Sequence, residues 1–389
     1  MNMIDYLAWR GDLTFAQSEF NEVDNLLLCY LAYVNLDQVA PGMGEKPMTV
    51  KTLADCFFGR YSRDELENDK SFIRMAPAVL FEMAKTKRFQ NLLVQNYVNK
   101  VDMEKMLQFA AMEILLGDGT SYVAYRGTDD TIVGWKEDFY LSRGKVPAEE
   151  EALIYLNQVC GGKKKSLVHK ILPKSLGKKE KKIRIGGHSK GGHLAIYAAA
   201  ACEPEIQERI LQVYCNDGPG FLQDFTETEG MLAIRDRIHR IVPESSVIGM
   251  LLNHMVDPIV IKSSQSTIMQ HDGFSWEVEG PKFVRCKERS TFSKVLDEAI
   301  QTWLAQIPEE KREPVIRDLF SVLEATGAET LTELQDGGMK NLRILMKQID
   351  GMDSESKGVL QDLLREIVQR VPQMLGIADR PGGKLKKNR

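Results

Sequence analysis

Residues 183–201 read IRIGGHSKGGHLAIYAAAA, and this segment carries the strongest signal of the fold class. An apolar run that predicts a strand ends at two glycines, and an alanine-rich helical pattern begins near residue 191. Between them lies the pentapeptide Gly187-His188-Ser189-Lys190-Gly191, a G-x-S-x-G motif in the strand-to-helix context that gives it meaning. In that geometry the serine occupies a sharp, strained turn, and its neighbours must be small because side chains there would strike the adjoining strand and helix. The motif predicts a nucleophilic Ser189 with the backbone N–H of Lys190 as an oxyanion donor.

The sequence around the motif alternates strand and helix patterns. Two apolar runs flank Gly117-Asp118-Gly119 and predict a hairpin within residues 109–130. Helices are predicted over 19–37 and 146–160, and strands over 209–217, 237–243 and 257–264. Strands that alternate with helices predict an α/β fold with a mostly parallel sheet and flanking helices. Four amphipathic patterns follow residue 290 and predict a C-terminal helical region.

Composition restricts the classes of partner. The formal net charge is −4 and the sequence pI is about 6.0, so the composition lacks the excess of basic residues that is typical of nucleic-acid-binding proteins. The first fifteen residues do not predict a secretory signal, and no stretch reaches the roughly 18 apolar residues of a spanning helix. The six cysteines are scattered without a C-x-x-C pair, which disfavours a zinc site and a disulfide framework. We therefore expect a cytoplasmic protein without metal or cofactor, while peripheral contact with a membrane stays open.

A second segment, VAYRGTDDTIVGWKEDF at 123–139, leaves a strand into a glycine-containing polar turn. Acyl transfer needs a second oxyanion donor, normally from a loop after an earlier strand, and Thr128 is the candidate here. A simple turn is the alternative interpretation of the tetrapeptide Arg126-Gly127-Thr128-Asp129.

These two segments resemble the class 3 lipases, in which an Arg-Gly-Ser/Thr turn is followed by Trp-x-x-Asp and then by Gly-His-Ser-Leu-Gly-Gly. Trp135 and Asp138 stand at the matching positions of this sequence. A closer resemblance, over residues 3–280, is to a family of bacterial lipase-like proteins called Mbeg-like, a domain of unknown function. It is carried by the following segments: DYLAWRGDLTF, FNEVDNLLL, LLGDGTSYVAYRGTDDTIVGWKEDF, NDGPGF, VPESSVIGMLL and QHDGFSW.

The resemblance implies an α/β-hydrolase fold, with Ser189 as nucleophile, Thr128 and the Lys190 N–H as oxyanion donors, and Asp138 as a support for the oxyanion loop. By the same resemblance, Ile132, Val133 and Trp135 stand where class 3 lipases have a lid over the acyl pocket. The sequence departs from those lipases at two positions. Lys190 replaces the leucine after the serine, which we expect to place a cation at the rim of the site. Arg240 stands where the lipases carry the triad aspartate, so the acid must have moved or be missing.

Histidine and acid candidates follow from the order Ser, acid, His along α/β-hydrolase chains. His271 lies in a polar turn after the last predicted strand and is preferred over His254, which lies just before that strand. Asp217, at the end of a predicted strand and before Gly218-Pro219-Gly220, is the first candidate for the acid. Glu244, nearest the lipase position, is the alternative, and Asp257 ranks below both because it opens a strand.

Together these features predict a serine hydrolase that cleaves a carboxylic ester, either small or lipid, through an acyl-enzyme. A thioesterase or an acyltransferase on the same machinery, and a non-catalytic hydrolase-fold interaction module, are the alternatives. The predicted organisation is a lipase-like domain at 1–289 with an N-terminal helical segment, a helical appendix at 290–378 and a basic disordered tail at 379–389. The acyl chain, the alcohol and the oligomeric state are not predicted.

Overall fold

A mixed sheet forms the centre of the described part of the chain. The computed structural model describes residues 1–61, 75–102, 104, 107–128, 146–161 and 181–306, and then 318, 321–322, 325–327, 338–351, 357–358 and 361. Within these residues the strands of the main sheet lie side by side in the order in which they occur along the chain. They are β1 (Met48–Thr49), β2 (Leu93–Asp102), β3 (Leu107–Leu115), β4 (Ser121–Tyr125), β5 (Ile183–His188), β6 (Ile210–Asn216), β7 (Ile238–Pro243) and β8 (Ile259–Ile261).

The mode of strand pairing changes once across this sheet, at β4. Strands β1 to β4 pair antiparallel, and β4 to β8 pair parallel. The β3–β4 pair closes over Gly117-Asp118-Gly119, with Leu115 opposite Ser121, which confirms the predicted hairpin. Because parallel strands end at one edge, the residues that follow β4, β5, β6 and β7 meet along that edge.

Helices cover both faces of the sheet. Alternate residues of β4 enter different cores: Tyr122 and Ala124 pack with the N-terminal helices, whereas Val123 and Tyr125 pack with the helices that follow β4 and β5. This two-sided burial explains the continuous apolar runs of the parallel strands. The described helices are α1 (Met3–Arg10), α2 (Glu22–Leu31), α3 (Val50–Arg60), α4 (Ala76–Met83), α5 (Pro147–Cys160), α6 (Lys190–Ala201), α7 (Pro204–Gln207), α8 (Gln223–Thr226), α9 (Glu229–Ile234), α10 (Thr291–Gln306) and α11 (Gly338–Asp350).

Short elements complete the C-terminal side of the sheet. A small hairpin is formed by β9 (Val278–Glu279) and β10 (Lys282–Phe283). Turns of 3-10 helix occur at Arg235–Arg237, Ile248–Met250, Thr267–His271 and Gly273–Ser275. The parallel sheet with helices on both faces, and a strand–turn–helix at β5–α6, confirm the prediction of an α/β-hydrolase-like fold.

Most predicted elements agree with the structure, and the main omission has a local cause. Strand β2 was not predicted from the sequence. Its pairing with β3 shifts register between Gln95 and Val98, and Asn96 there has φ 57°. An extra residue in a bulge breaks the alternation by which a strand is identified. The strand predicted over 257–264 is shorter, at Ile259–Ile261. Of the predicted C-terminal helical patterns, the described residues include α10 and α11.

Candidate active site

Ser189 lies on the turn that joins β5 to α6, and we call residues 187–191 the elbow. Its backbone has φ 56° and ψ −135°, a strained conformation for a residue with a side chain, and it caps the N-terminus of α6. The flanking glycines are sterically required. A Cβ atom on Gly187 would lie 2.1 Å from the carbonyl carbon of Gly191, and one on Gly191 would lie 2.3 Å from the carbonyl oxygen of Tyr125. The glycines around the serine therefore allow β5, α6 and the end of β4 to approach closely.

The loop that contains Thr128 packs against the start of α6. A Cβ atom on Gly127 would lie 3.2 Å from the Cβ of Ser189, and one on Gly191 would lie 2.9 Å from the backbone nitrogen of Gly127. Thr128 is buried at 3% exposure. Lys190 is the first residue of α6, where backbone N–H groups have no partner inside the helix. The structure thus brings both predicted oxyanion donors to the neighbourhood of Ser189.

The side chain of Lys190 lies elsewhere than predicted. We expected its ammonium group at the rim of the site, and this expectation is wrong. Lys190 is completely buried, and its Nζ donates a hydrogen bond of 3.1 Å to the carbonyl oxygen of Gln108 at the start of β3. Side chains in the first turn of a helix point back toward its N-terminus, and here that direction leads to β3. The lysine therefore ties the elbow to the antiparallel half of the sheet.

His271 and Asp217 form a buried pair next to the elbow. Nδ1 of His271 lies 2.7 Å from Oδ2 of Asp217, and the two residues are 7% and 0% exposed. Asp217 directly follows β6 and has a left-handed backbone with φ 50°. Its other oxygen, Oδ1, accepts a hydrogen bond of 2.5 Å from the hydroxyl of Ser246. Because a carboxylate only accepts, Nδ1 of the imidazole is the donor in this contact.

His188, the residue before Ser189, fixes His271 next to the turn. Nε2 of His188 lies 2.7 Å from the carbonyl oxygen of His271, so Nε2 carries the proton. The Tyr33 hydroxyl lies 3.1 Å from Nδ1 of the same ring. Burial and, secondarily, the neighbouring His271 lower the pKa of His188 well below 6.5. His188 is therefore a neutral structural group that holds the backbone of His271 against the elbow.

The other acid and base candidates have different surroundings. The Glu244 carboxylate accepts from the thiol of Cys286 at 3.7 Å. Asp257 is exposed and lies before β8. His254 lies near Gly220, where burial lowers its pKa well below 6.5. Of the three carboxylates considered, Asp217 is the one that the structure places in hydrogen-bond contact with His271. Its role as the catalytic acid, like the roles of the other site residues, stays a prediction.

The roles of two residues near Asp217, Arg240 and Gly249, were not predicted from the sequence. Arg240, at the position of the lipase aspartate, is 3% exposed and its Nη2 donates to the carbonyl oxygen of Gly249 at 2.5 Å. Burial lowers the pKa of Arg240 to about 10, so the guanidinium stays charged at neutral pH. A Cβ atom on Gly249 would lie 2.2 Å from Oδ1 of Asp217. Arg240 thus holds the turn at Gly249 against the carboxylate. The sequence signal for these contacts is the segment VPESSVIGM at 242–250, in which Ser246 and Gly249 are the residues that contact Asp217.

Some predicted features cannot be placed. Trp135, Asp138, Ile132 and Val133 lie outside the described residues. In the described ranges, no group of three His, Cys, Asp or Glu side chains is arranged to hold a metal ion. The cysteines are all free thiols. No described helix combines the length and the apolar character needed to cross a membrane.

Comparison with known proteins identifies the family. A model of the Mbeg1-like family matches residues 83–321, which is more than half of the chain. The chain belongs to the Mbeg1-like family. This confirms the resemblance, and the Mbeg1-like match includes Ser189, Asp217 and His271. A crystal structure of M37 lipase is similar with a TM-score of 0.35 and 17% sequence identity, over 60% of this chain and 71% of that chain. No curated protein matches the chain.

Proposed function

We propose that this Mbeg1-like protein is a serine hydrolase that cleaves a carboxylic ester through an acyl-enzyme on Ser189. The observation that carries the proposal is the buried pair of His271 and Asp217, with Nδ1 and Oδ2 2.7 Å apart. A hydrogen bond from His188 fixes the backbone of His271 next to Ser189. A strained serine at a strand-to-helix turn, an imidazole and a buried carboxylate form the set that acyl transfer requires.

The proposed first step is attack of the Ser189 hydroxyl oxygen on the ester carbonyl carbon. Nε2 of His271 takes the hydroxyl proton as the new carbon–oxygen bond forms. Asp217 keeps its negative charge, holds the ring through Nδ1–H and stabilises the imidazolium. Its burial strengthens this interaction because water does not screen it.

Collapse of the tetrahedral intermediate releases the alcohol, which takes its proton from Nε2 of His271. Water, activated by the same nitrogen, then attacks the acyl group and restores the serine hydroxyl. In both tetrahedral intermediates the oxyanion accepts hydrogen bonds from the Lys190 N–H and from Thr128. Both groups are held in place by packing where the loop after β4 meets the start of α6. Donors fixed in this way stabilise the developing charge without reorganisation.

The same groups would serve a thioesterase or an acyltransferase. Parallel measurements on an oxygen ester and the thioester of the same acyl chain distinguish a thioesterase, and addition of an acceptor alcohol distinguishes an acyltransferase. A non-catalytic interaction module would act on none of these substrates.

The experiment that tests the proposal is covalent labelling with a fluorophosphonate probe, alongside hydrolysis of p-nitrophenyl esters. We expect the wild-type protein to be labelled and to release p-nitrophenol, and Ser189→Ala to do neither. His271→Gln, which keeps Ser189, is the matched variant and should be labelled far more slowly. Absence of labelling of the wild type under conditions that label a known serine hydrolase would refute the catalytic proposal.

A further inference from the structure

The turn after β7 contacts Asp217 and the residue that precedes His271. We call residues Glu244–Ser246 the acid-side turn. The Ser246 hydroxyl donates to Oδ1 of Asp217 at 2.5 Å. The backbone N–H of Ser245 donates to Oε1 of Gln270, the residue before His271, at 2.8 Å. One three-residue segment therefore fixes the carboxylate directly and the histidine through its neighbour.

The beginning of the C-terminal helical region binds the opposite side of this turn. The Ser290 N–H donates to the carbonyl oxygen of Glu244 at 2.7 Å, and the hydroxyls of Ser245 and Ser290 lie 2.8 Å apart. On the first turn of α10, the Ser293 hydroxyl donates to the carbonyl oxygen of Ser246 at 2.5 Å. Each residue of the acid-side turn thus has a hydrogen bond to residues 290–293.

The contact between Ser246 and Ser293 is shielded from water. Ser246 is 2% exposed and Ser293 is 1% exposed. Val295 and Ala299 are buried on α10 as well, and the helix start is pinned by an ion pair of 3.0 Å between Arg289 and Asp297. Loss of the Ser293 hydroxyl would leave a buried carbonyl without this donor, which water does not readily replace in a packed site.

We propose that the first helix of the C-terminal region, α10, is a positioning element of the active site. Through the acid-side turn it holds Asp217 and His271 in the geometry that activates Ser189, with Ser246 and Ser293 as the positioning residues. This inference rests on the proposed function, and it assigns a task to the residues that follow position 290. Any event that lifts α10 from the turn would slow the chemical step and leave substrate binding intact.

The test compares four single variants of the full chain. Ser246→Ala and Ser293→Ala remove the two hydroxyl donors, and Ser293→Thr keeps the second one. Thr226→Val is the matched control, because the Thr226 hydroxyl is also buried and donates to a backbone carbonyl, that of Gln223, at 2.6 Å. For each protein we would measure kcat and KM with p-nitrophenyl butyrate, the rate of fluorophosphonate labelling and deuterium exchange over residues 265–272.

A hydrogen bond to a buried charged group predicts about a tenfold fall in kcat for Ser246→Ala. We expect a smaller fall for Ser293→Ala, an unchanged KM in both, faster exchange over 265–272, and wild-type behaviour for Ser293→Thr and Thr226→Val. Wild-type labelling rates in both alanine variants would overturn the positioning role while the proposed function stands.

A wild type that is not labelled would instead overturn the proposed function. Deuterium exchange then tests the structural part of the inference alone. Unchanged protection of residues 265–272 in Ser293→Ala would overturn the connection between α10 and the loop that contains His271. Faster exchange there, with Thr226→Val unchanged, would support it.

Discussion

Among the described residues, the carboxylates of Asp24 and Asp217 are completely buried, and their partners differ. Asp24, on α2, accepts from Nε of Arg88 at 2.8 Å, from Nη2 of Arg88 at 2.5 Å and from the Tyr6 hydroxyl at 3.0 Å. Asp217 accepts from the imidazole of His271 and the hydroxyl of Ser246. The first carboxylate faces a permanent cation, and the second faces an imidazole, a group that exists in a neutral and a charged form.

The difference separates a structural carboxylate from one suited to catalysis. Burial alone lowers the pKa of Arg88, but the hydrogen bonds and charge of Asp24 outweigh burial and raise it above its ordinary value. Burial raises the pKa of the Asp24 carboxyl, and the pair joins α2 to the segment after α4. The partner of Asp217 changes charge when it accepts a proton, and in the proposed mechanism the carboxylate stabilises the imidazolium that forms.

The largest expected effect is on turnover, at Asp217. Asp217→Asn should lower kcat by up to about 10⁴-fold because the ring of His271 loses its orienting acceptor and the imidazolium its counter-charge. Circular dichroism checks that the fold is kept. If kcat stays within a few-fold of the wild type, Asp217 is not the acid and the comparison with Asp24 loses its meaning.

The next effect is on stability, at Arg88. Arg88→Met leaves the Asp24 carboxylate buried without its cation and should lower the free energy of unfolding by about 3–5 kcal/mol. Urea denaturation measures this change, and kcat per folded molecule should stay at the wild-type value. A large loss of kcat in folded Arg88→Met would show that the two carboxylates are not functionally separate.

Thr128 tests the oxyanion loop, which has no counterpart near Asp24. Thr128→Val should lower kcat by roughly 10²-fold, the usual cost of losing an oxyanion donor, with the fold intact. Thr226→Val is the control for a lost buried threonine hydroxyl. An unchanged kcat would remove Thr128 from the proposed site.

Acid pH should destabilise the fold through His188, which lies beside the site. The pKa of His188 is lower in the folded protein than in the unfolded chain, so the unfolded chain binds more protons below about pH 6.5. Folding stability should therefore fall as the pH drops below this value, by at most about 1.4 kcal/mol per pH unit for this histidine. Urea midpoints between pH 8 and 5 measure the slope, and His188→Gln should reduce it. A slope that is the same in His188→Gln would assign the dependence to other groups.

The smallest effect is expected at Glu244. Its carboxylate contacts the Cys286 thiol, so Glu244→Gln should change kcat by less than about threefold, within the range typical of substitutions outside special features. Collapse of activity in Glu244→Gln, with Asp217→Asn active, would reverse the assignment of the acid.

The sequence predicted those parts of the fold and site whose cause is local. The elbow, the β3–β4 hairpin and the mostly parallel character of the sheet follow from glycine positions and apolar runs between residues 109 and 261. Asp217 and His271 could be proposed because chain order and strand ends restrict where acid and base lie in such a fold.

The remaining features depend on an irregular strand or on contacts between distant residues. Strand β2 escaped prediction because a bulge at residues 95–98 disturbs its alternation. The burial of Lys190 against Gln108 depends on how β3 pairs across the sheet. The contact of Ser246 with Asp217 links residues 29 positions apart, and its support by Ser293 crosses from the sheet to a helix that sequence patterns treat as separate.

The central claim, an acyl-enzyme on Ser189, is tested most directly by mass spectrometry of protein quenched in acid after mixing with p-nitrophenyl butyrate. Trypsin should release residues 185–190, which carry the serine. We predict one butyryl group on Ser189 in this peptide, and none in Ser189→Ala. Release of p-nitrophenol at wild-type rates by Ser189→Ala, or a butyryl group on another residue that turns over at the catalytic rate, would contradict the claim.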